Sequence, residues 1–211
     1  MIIDLLSREH RNIEKLLLVL EQELAVFERE EQPDYEVVWA VICYFQVYPE
    51  LYHHPQEEMV FKKLSARDPV AAADIGDLAA EHRAGAERLR RVVQAVESVL
   101  KNPDVLRHTV DDMIHDFIAH ERRHIAMEER NFFPAAIKVL QPQDWAEIAS
   151  TLTDQKDPLF SESVEERFDV VRKHILELEQ EAEAERGLPD AAGNADEGRE
   201  RSLPAHGRFR C

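Results

Sequence analysis

The sequence predicts an all-α protein, an up-down-up-down four-helix bundle with an additional C-terminal helical segment. Only two of its six glycines precede residue 187, so few positions in the body of the chain favour a break in a helix. Apolar residues recur at steps of three and four, as on the buried face of an amphipathic helix. Strand signals are absent. Long amphipathic segments with short connections favour helices packed against one another.

Prolines mark the predicted helices of the bundle. Pro33, Pro69 and Pro103 divide the first 140 residues into four segments, because proline suits the first turn of a helix and ends the preceding one. Each segment is expected to form one long helix. The first shows the buried stripe most clearly: Ile3, Leu6, His10, Ile13, Leu17, Leu20, Leu24 and Phe27.

Two further prolines interrupt the second segment. Pro49 and Pro55 flank the pair His53-His54, so a kink or a restarted helix is expected there. We therefore assign residues 1–140 to the bundle. Residues 141–186 form a helical extension packed on it, with a short helix over 143–152, a turn at Asp157-Pro158 and an amphipathic helix over 162–185. The polar residues 187–211 are expected to be a disordered tail.

The charge of the chain excludes two classes of partner. The 26 Lys and Arg stand against 43 Asp and Glu, a formal net charge of −17, which opposes binding to nucleic acid or to an anionic membrane. No apolar run reaches the length of a membrane span, and charged residues interrupt the apolar N-terminus too early for a signal peptide. A cytoplasmic location is expected.

A repeated pattern of histidine and glutamate distinguishes this chain from an ordinary helical protein. Glu9-His10-Arg11 recurs 72 residues later as Glu81-His82-Arg83. The run His53-x-x-x-Glu57-Glu58-x-x-Phe61 recurs as His124-x-x-x-Glu128-Glu129-x-x-Phe132. Residues four apart share one face of a helix, so each half of the bundle offers a lone histidine and a His-Glu pair.

The buried stripes predict a site for two metal ions. His10 and His82 occupy positions that Leu or Ile would otherwise fill, and a polar ring there needs a partner. The expected ligand set is His10, His53, Glu57, His82, His124 and Glu128. Two buried carboxylates would repel each other, whereas two cations, each bound by two imidazoles, would allow both carboxylates to bridge them. Nitrogen and oxygen donors suit two iron ions with an oxo or hydroxo bridge, and manganese and zinc accept the same ligand types.

Several neighbouring residues have alternative interpretations. His54 and Glu58 form a second His-x-x-x-Glu pair, one residue out of phase with the first. His120 lies one turn before His124, either as a hydrogen-bonding support or as an additional ligand. Tyr48 and Tyr52 are packing residues or hydrogen-bond donors to a bound oxygen species.

Two other arrangements compete with this site. A ferritin-like carboxylate site would use Glu9 and Glu81 with the pairs Glu50-x-x-His53 and Glu121-x-x-His124. The stripes count against it, because positions 9 and 81 are turned about 100° from the buried positions 10 and 82. A metal-free helical interaction module is the other alternative.

The chain resembles the hemerythrin-like (HHE cation-binding) proteins. The resemblance covers about residues 1–140 and is carried by five motifs: Glu9-His10, Tyr52-His53-His54-Pro55-Gln56-Glu57-Glu58, Glu81-His82, His124-Ile125-Ala126-Met127-Glu128-Glu129 and Phe133-Pro134. It implies a four-helix bundle with a non-haem di-iron centre. The implied ligands are the six residues given above, with the two glutamates as bridges.

The chain also departs from the oxygen-carrying members of that family. Those use a fifth histidine one turn after the third-helix ligand, where this chain has Ala86, and an Asp in place of its Glu128. Fewer imidazoles favour chemistry at the metal over stable oxygen carriage. We therefore expect a protein that binds, senses or detoxifies oxygen, peroxide or nitric oxide. The pattern is closer to that of di-iron proteins linked to iron–sulfur cluster repair, and catalytic turnover is left open.

Overall fold

The computed structural model describes residues 2–29, 33–101, 107–152, 157–161 and 164–187. These residues form helices and their connections, and none of them forms a strand. The predicted all-α class is confirmed. Within the same residues, no helix is both long enough and apolar enough to cross a membrane.

Four helical rods surround the centre of the molecule, and two of them contain a π-helical turn. Their elements are α1 (Ile2–Glu28); α2 (Tyr35–Tyr48), a first π turn (Pro49–His53) and α3 (His54–Arg67); α5 (Leu78–Lys101); and α6 (Arg107–Met127), a second π turn (Glu128–Phe132) and α7 (Phe133–Val139). Contacts join α1 to α2, α2 to α5, α5 to α6 and α6 back to α1. The rods therefore enclose a shared interior, as in a four-helix bundle.

The third predicted helix is divided in two, which corrects the sequence-based expectation. A separate short helix, α4 (Pro69–Ile75), precedes α5. Asp68 caps α4 by accepting hydrogen bonds from the amides of Val70 and Ala71. Gly76 then takes φ 95°, a conformation that residues with a Cβ rarely adopt, so α4 ends there. The Asp77 carboxylate accepts from the amide of Ala80 at the start of α5.

Two further helices follow the bundle. The first is α8 (Pro142–Thr151), which agrees with the predicted short helix. The second is α9 (Asp169–Gly187), preceded by a 3-10 turn (Glu166–Phe168), so the predicted start at residue 162 is wrong. Phe168 is fully buried, with its ring 6.0 Å from that of Tyr44, and this packing holds the segment before α9 out of a continuous helix.

The extension contacts the bundle at two places. Helix α9 packs on α1 and α2, and α8 packs on α3, where Arg67 pairs with Asp144 at 3.0 Å. The division of the chain at residues 140 and 186 stays a prediction. So does the disordered tail, because residues 188–211 lie outside the described part of the chain.

Two apolar clusters lie on either side of a polar layer. One cluster includes Ile13, Tyr44, Leu89 and Phe117, and the other includes Leu6, Val60, Leu78 and Phe132. Each rod passes from one cluster to the other and contributes polar side chains between them. His10, for example, lies between Leu6 of one cluster and Ile13 of the other. The polar layer is therefore enclosed by side chains that exclude water.

Candidate metal centre

Each rod contributes side chains to the polar layer. Helix α1 carries His10, α5 carries His82 and α6 carries His124. His53 ends the first π turn, α3 begins with His54 and carries Glu57, and Glu128 begins the second π turn. The six predicted ligand residues are all buried, and both glutamates have no exposed surface. The structure therefore brings the whole predicted set into the interior.

Proline accounts for both π turns. Each turn ends two residues before a proline, Pro55 or Pro134. Proline lacks an amide hydrogen and collides with the carbonyl four residues earlier, so the chain widens there. His54 accordingly donates its amide to the carbonyl of Pro49, and Phe133 donates to Glu128, each five residues back. The predicted interruption near His53 is confirmed, and Pro134 was the signal for the second.

The first π turn changes which side chains face the centre. A π turn closes its hydrogen bond over five residues and so adds one residue to the turn, which shifts the direction of the side chains that follow it. His53 is buried and His54 is largely buried, with its side chain 13% exposed. The two histidines that the sequence offered as alternatives for one position therefore both reach the polar layer.

The side chains form two groups that could each hold a metal ion. One group is His10, His53 and Glu57, and the other is His54, Glu57, His82 and His124. Within each group the potential ligand atoms all lie within 4.8 Å of one another. Glu57 belongs to both groups, so the two positions are adjacent.

The two glutamates divide their oxygens between the two groups. Glu57 Oε1 lies 3.2 Å from His10 Nε2 and 3.1 Å from His53 Nε2, whereas its Oε2 lies 3.3 Å from His82 Nε2. The two oxygens of Glu128 are divided between the groups in the same way. Its Oε2 lies 3.2 Å from His10 Nε2, and its Oε1 lies 3.3 Å from His124 Nε2 and 3.8 Å from His82 Nε2.

Several atoms at the centre have unmet hydrogen-bonding capacity. In the described part of the chain, no hydrogen-bond partner serves Glu57 Oε2, either Glu128 oxygen, His82 Nε2 or His124 Nε2. Leaving a buried polar atom unpaired costs about 1–3 kcal/mol. Converging lone pairs of imidazole and carboxylate are the donor set that divalent metal ions take. The residues present therefore fit a pair of cations.

The outer nitrogens of three imidazoles are held by carboxylates. His53 Nδ1 donates to Glu9 at 2.8 Å, His10 Nδ1 donates to Glu129 at 2.8 Å, and His82 Nδ1 donates to Glu58 at 3.3 Å. A hydrogen bond at Nδ1 keeps the proton on that nitrogen, so that Nε2 presents its lone pair to the centre once it has lost its own proton.

The sequence reasoning misplaced Glu9. It expected this side chain to be turned away from the interior, yet only 3% of its surface is exposed. Two features could have indicated that Glu9 is buried: it is next to His10 in the chain, and Tyr48 of the second rod faces it. Glu81, its counterpart in the repeat, is exposed as expected. A ferritin-like site would need both residues near the ions, so the observed geometry does not match that arrangement.

The remaining predicted residues lie around the centre. Tyr48 donates its hydroxyl to Glu9, and the ring of Tyr52 lies 5.7 Å from that of Tyr48. His120 donates Nε2 to the Glu81 carbonyl at 3.3 Å and stacks on His124. His120 does not belong to either ligand group. The roles of Tyr48 and Tyr52 toward a bound oxygen species stay predictions.

The family model for the hemerythrin HHE cation binding domain matches residues 1–136, nearly two thirds of the chain. The chain belongs to the hemerythrin HHE family. The match includes all six predicted ligands and His54. No curated protein and no solved structure matches the chain. Family membership and the buried cluster together support metal binding.

One buried carboxylate of this hemerythrin-type site entered the sequence analysis only as part of the ferritin-like alternative. Glu121 is buried on α6 and packs against Gly85, where an added Cβ would lie 2.9 Å from its Oε1. Burial, followed by the charge of Glu128, raises the pKa of Glu121 to about 8. Gly85 thus leaves room for an uncharged acid near the position where oxygen carriers have their fifth histidine.

The metal-free hemerythrin-type site holds its imidazoles in two protonation states. Burial alone would lower the pKa of His10, His53 and His82, but the neighbouring glutamates outweigh it and raise these values to about 9, 10 and 10. Burial prevails at His124, whose pKa falls to about 4, and at His54, whose pKa is also lowered. Three ligands are therefore protonated at pH 7 and two are neutral.

These pKa values predict a strong pH dependence of metal affinity. A cation must displace the protons of His10, His53 and His82, so apparent affinity should rise from pH 6.5 to 8.5, by about tenfold per pH unit for each proton released. Calorimetric titration with Zn²⁺ in buffers of different ionisation enthalpy measures both the affinity and the number of protons released. Equal affinity at the two pH values, without proton release, would contradict the assignment.

Proposed function

We propose that the protein is a non-haem di-iron protein of the hemerythrin type that binds, senses or detoxifies a small oxidant: oxygen, peroxide or nitric oxide. The main support for this proposal comes from Glu57 and Glu128. In each of them, one oxygen faces one imidazole group and the second oxygen faces the other group. Each carboxylate presents one oxygen to each ion position, as a bridging ligand must. A single-ion site would not need that division.

Five imidazoles and two carboxylates would hold the ions. His10 and His53 serve one position, His54, His82 and His124 serve the other, and the two glutamates serve both. These donors suit iron, and manganese or zinc would accept them. Bound iron would supply redox chemistry and vacant coordination positions for a small ligand.

The fifth imidazole changes the expectation drawn from the sequence. Four histidines were expected, and the absence of a histidine at Ala86 argued against stable oxygen binding. His54 supplies another imidazole from α3, next to His53. The position bound by His10 and His53 then has fewer protein ligands, and we assign the exogenous ligand to it. The site is therefore as consistent with binding of a small ligand without turnover as with catalytic consumption of peroxide or nitric oxide.

Apolar side chains line the less saturated position. The ring of Phe133 stacks on His10, with centroids 5.3 Å apart and planes within 5°. Leu6 and Phe132, both fully buried, belong to the apolar cluster on the same side. Such a lining excludes bulk water and disfavours large or strongly charged ligands. It is compatible with a diatomic molecule or with uncharged hydrogen peroxide.

A metal-free interaction module is the less favoured alternative. It would leave a buried cluster of carboxylates and imidazoles whose central atoms form ion pairs but no well-formed hydrogen bonds among the described residues. Bound cations would give those atoms ligands to coordinate.

The double substitution His53→Ala and His124→Ala should abolish stable iron binding, because it removes one imidazole from each position. The reconstituted wild-type chain should hold two iron ions, one per ligand group. Metal analysis and the near-ultraviolet spectrum, before and after azide, measure this. His115→Ala is the matched control, since His115 is an exposed residue of α6. A double variant that kept both ions would refute the ligand assignment.

Replacing His54 with Gln should weaken one metal position and spare the other. We expect the more weakly bound ion to lose affinity by about tenfold or more, roughly 1.4 kcal/mol, with the tighter ion little changed. Competition with a chromophoric chelator resolves the two affinities. His120→Gln controls for loss of a nearby buried imidazole that faces the Glu81 carbonyl. Indistinguishable metal affinities for the His54 variant and the wild type would exclude His54 as a ligand.

Binding and turnover can be separated with peroxide. A catalytic peroxide-consuming protein should evolve oxygen or consume peroxide over many cycles per iron pair, whereas a sensor or carrier should show one stoichiometric spectral change. An iron donor for iron–sulfur cluster repair should instead release iron to a weak chelator within minutes. Retention over days would exclude that narrower role. Stopped-flow absorbance with a peroxide electrode distinguishes the first two outcomes.

A further inference from the structure

Three tyrosines form a continuous row along the second rod. Tyr44 and Tyr48 lie on α2 and Tyr52 lies in the first π turn, each four residues after the last. Their ring centroids are 5.6 Å apart between Tyr44 and Tyr48, and 5.7 Å apart between Tyr48 and Tyr52. Tyr44 and Tyr48 are buried, whereas Tyr52 is partly exposed. The row therefore leads from the protein interior to its surface.

Hydrogen bonds connect the middle tyrosine to a candidate metal ligand. The Tyr48 hydroxyl donates to Glu9 Oε1 at 2.7 Å, and the other oxygen of Glu9 accepts from His53 Nδ1 at 2.8 Å. His53 Nε2 faces Glu57 Oε1 at the centre. One carboxylate thus separates the phenol from the imidazole.

The other half of the repeat lacks this connection. The residue corresponding to Tyr48 is Ala119, and the residue corresponding to Glu9 is the exposed Glu81. In the described part of the chain, His124 Nδ1 has no hydrogen-bond partner. His124 therefore takes its place in the centre without a tyrosine–carboxylate pair. The positioning of a histidine alone does not explain why Tyr48 and Glu9 are paired beside His53.

We propose that Tyr48 is a redox-active residue that donates one electron to the iron centre during peroxide reduction and transfers its hydroxyl proton to Glu9. This inference rests on the proposed di-iron function. Tyr48 becomes a neutral phenoxyl radical, and Glu9 becomes a carboxylic acid. The second electron comes from one ferrous ion, which becomes ferric. Two protons from solvent complete the conversion of one hydrogen peroxide to two water molecules.

The surroundings of Tyr48 suit such a coupled transfer. Burial, and then the charge of Glu9, raise the pKa of the Tyr48 phenol well above its usual range, so the phenol keeps its proton at neutral pH. Once a buried phenol loses an electron it becomes strongly acidic, and it needs a base within hydrogen-bond distance. The Glu9 carboxylate lies within that distance, and its hydrogen bond to Tyr48 is already formed.

The row of rings provides a route away from the centre. Tyr52 adjoins Tyr48 and is partly exposed, so the radical can move to Tyr52 and be reduced by a small external reductant such as ascorbate. Tyr44, on the other side, donates its hydroxyl to Asp157 at 2.9 Å but is fully buried. Tyr52 is therefore the exit. Oxidising equivalents would leave the centre without damaging its ligands.

The test uses the full-length, iron-loaded chain reduced to one electron per iron pair, mixed with hydrogen peroxide and frozen within milliseconds. Wild-type protein should show an organic radical by electron paramagnetic resonance, and ring-deuterated tyrosine should narrow its signal. Tyr48→Phe should lose the signal while retaining its iron. Tyr35→Phe, which changes the fourth tyrosine, is the matched control and should keep it. Tyr52→Phe should keep the radical but slow its reduction by ascorbate.

A second variant guards against an indirect effect of Tyr48→Phe on the centre. The double substitution Tyr44→Phe and Tyr52→Phe leaves Tyr48 in place, and its radical should persist. Iron content measured on every sample separates the two proposals. Iron binding without a tyrosyl radical in the wild type, or an undiminished radical in Tyr48→Phe, would overturn the role of Tyr48 and leave the di-iron function standing. Failure to bind iron would overturn both.

Discussion

The placement of two glutamates, Glu57 and Glu128, in a dry layer between two apolar clusters is the constraint on which the rest of this structure depends. Neither side chain has exposed surface, and their charges repel each other. Each of the two carboxylates therefore needs a positive charge beside it. In the metal-free protein, protonated imidazoles provide that charge. Bound cations would replace those protons. The same residues thus stabilise the metal-free protein and present a ready ligand set, with metal and protons in competition.

Local backbone geometry adapts the helices to this centre. The two π turns lie where the chain approaches Pro55 and Pro134. They contain His53 and Glu128, and His54 follows the first directly. Each π turn adds one residue to its rod and so shifts the side chains that follow it. In the second rod both adjacent histidines, His53 and His54, reach the layer. The two halves of the repeat are unequal here, since residue 125, the counterpart of His54, is an isoleucine.

The inequality of the two halves has functional consequences. One position has three imidazoles, with Glu121 and Gly85 close by on α6 and α5. The other has two imidazoles, a stacked phenylalanine and the connection from His53 through Glu9 to Tyr48. A symmetrical site would offer any small ligand two equivalent positions. The proposed centre would instead offer a less saturated position next to Glu9 and the row of tyrosines.

The sequence by itself determined the helical class and the six repeated residues that reach the centre, because periodicity and spacing specify which residues share one face of a helix. It could not determine contacts between helices. The tertiary structure decided that His54 lies in one of the two groups that could hold a metal ion, that Glu9 is buried between His53 and Tyr48, and that Glu121 occupies the space beside Gly85. It also decided where α9 begins, through the packing of Phe168. Each of these depends on the distance between residues remote in the chain, which helical periodicity does not encode.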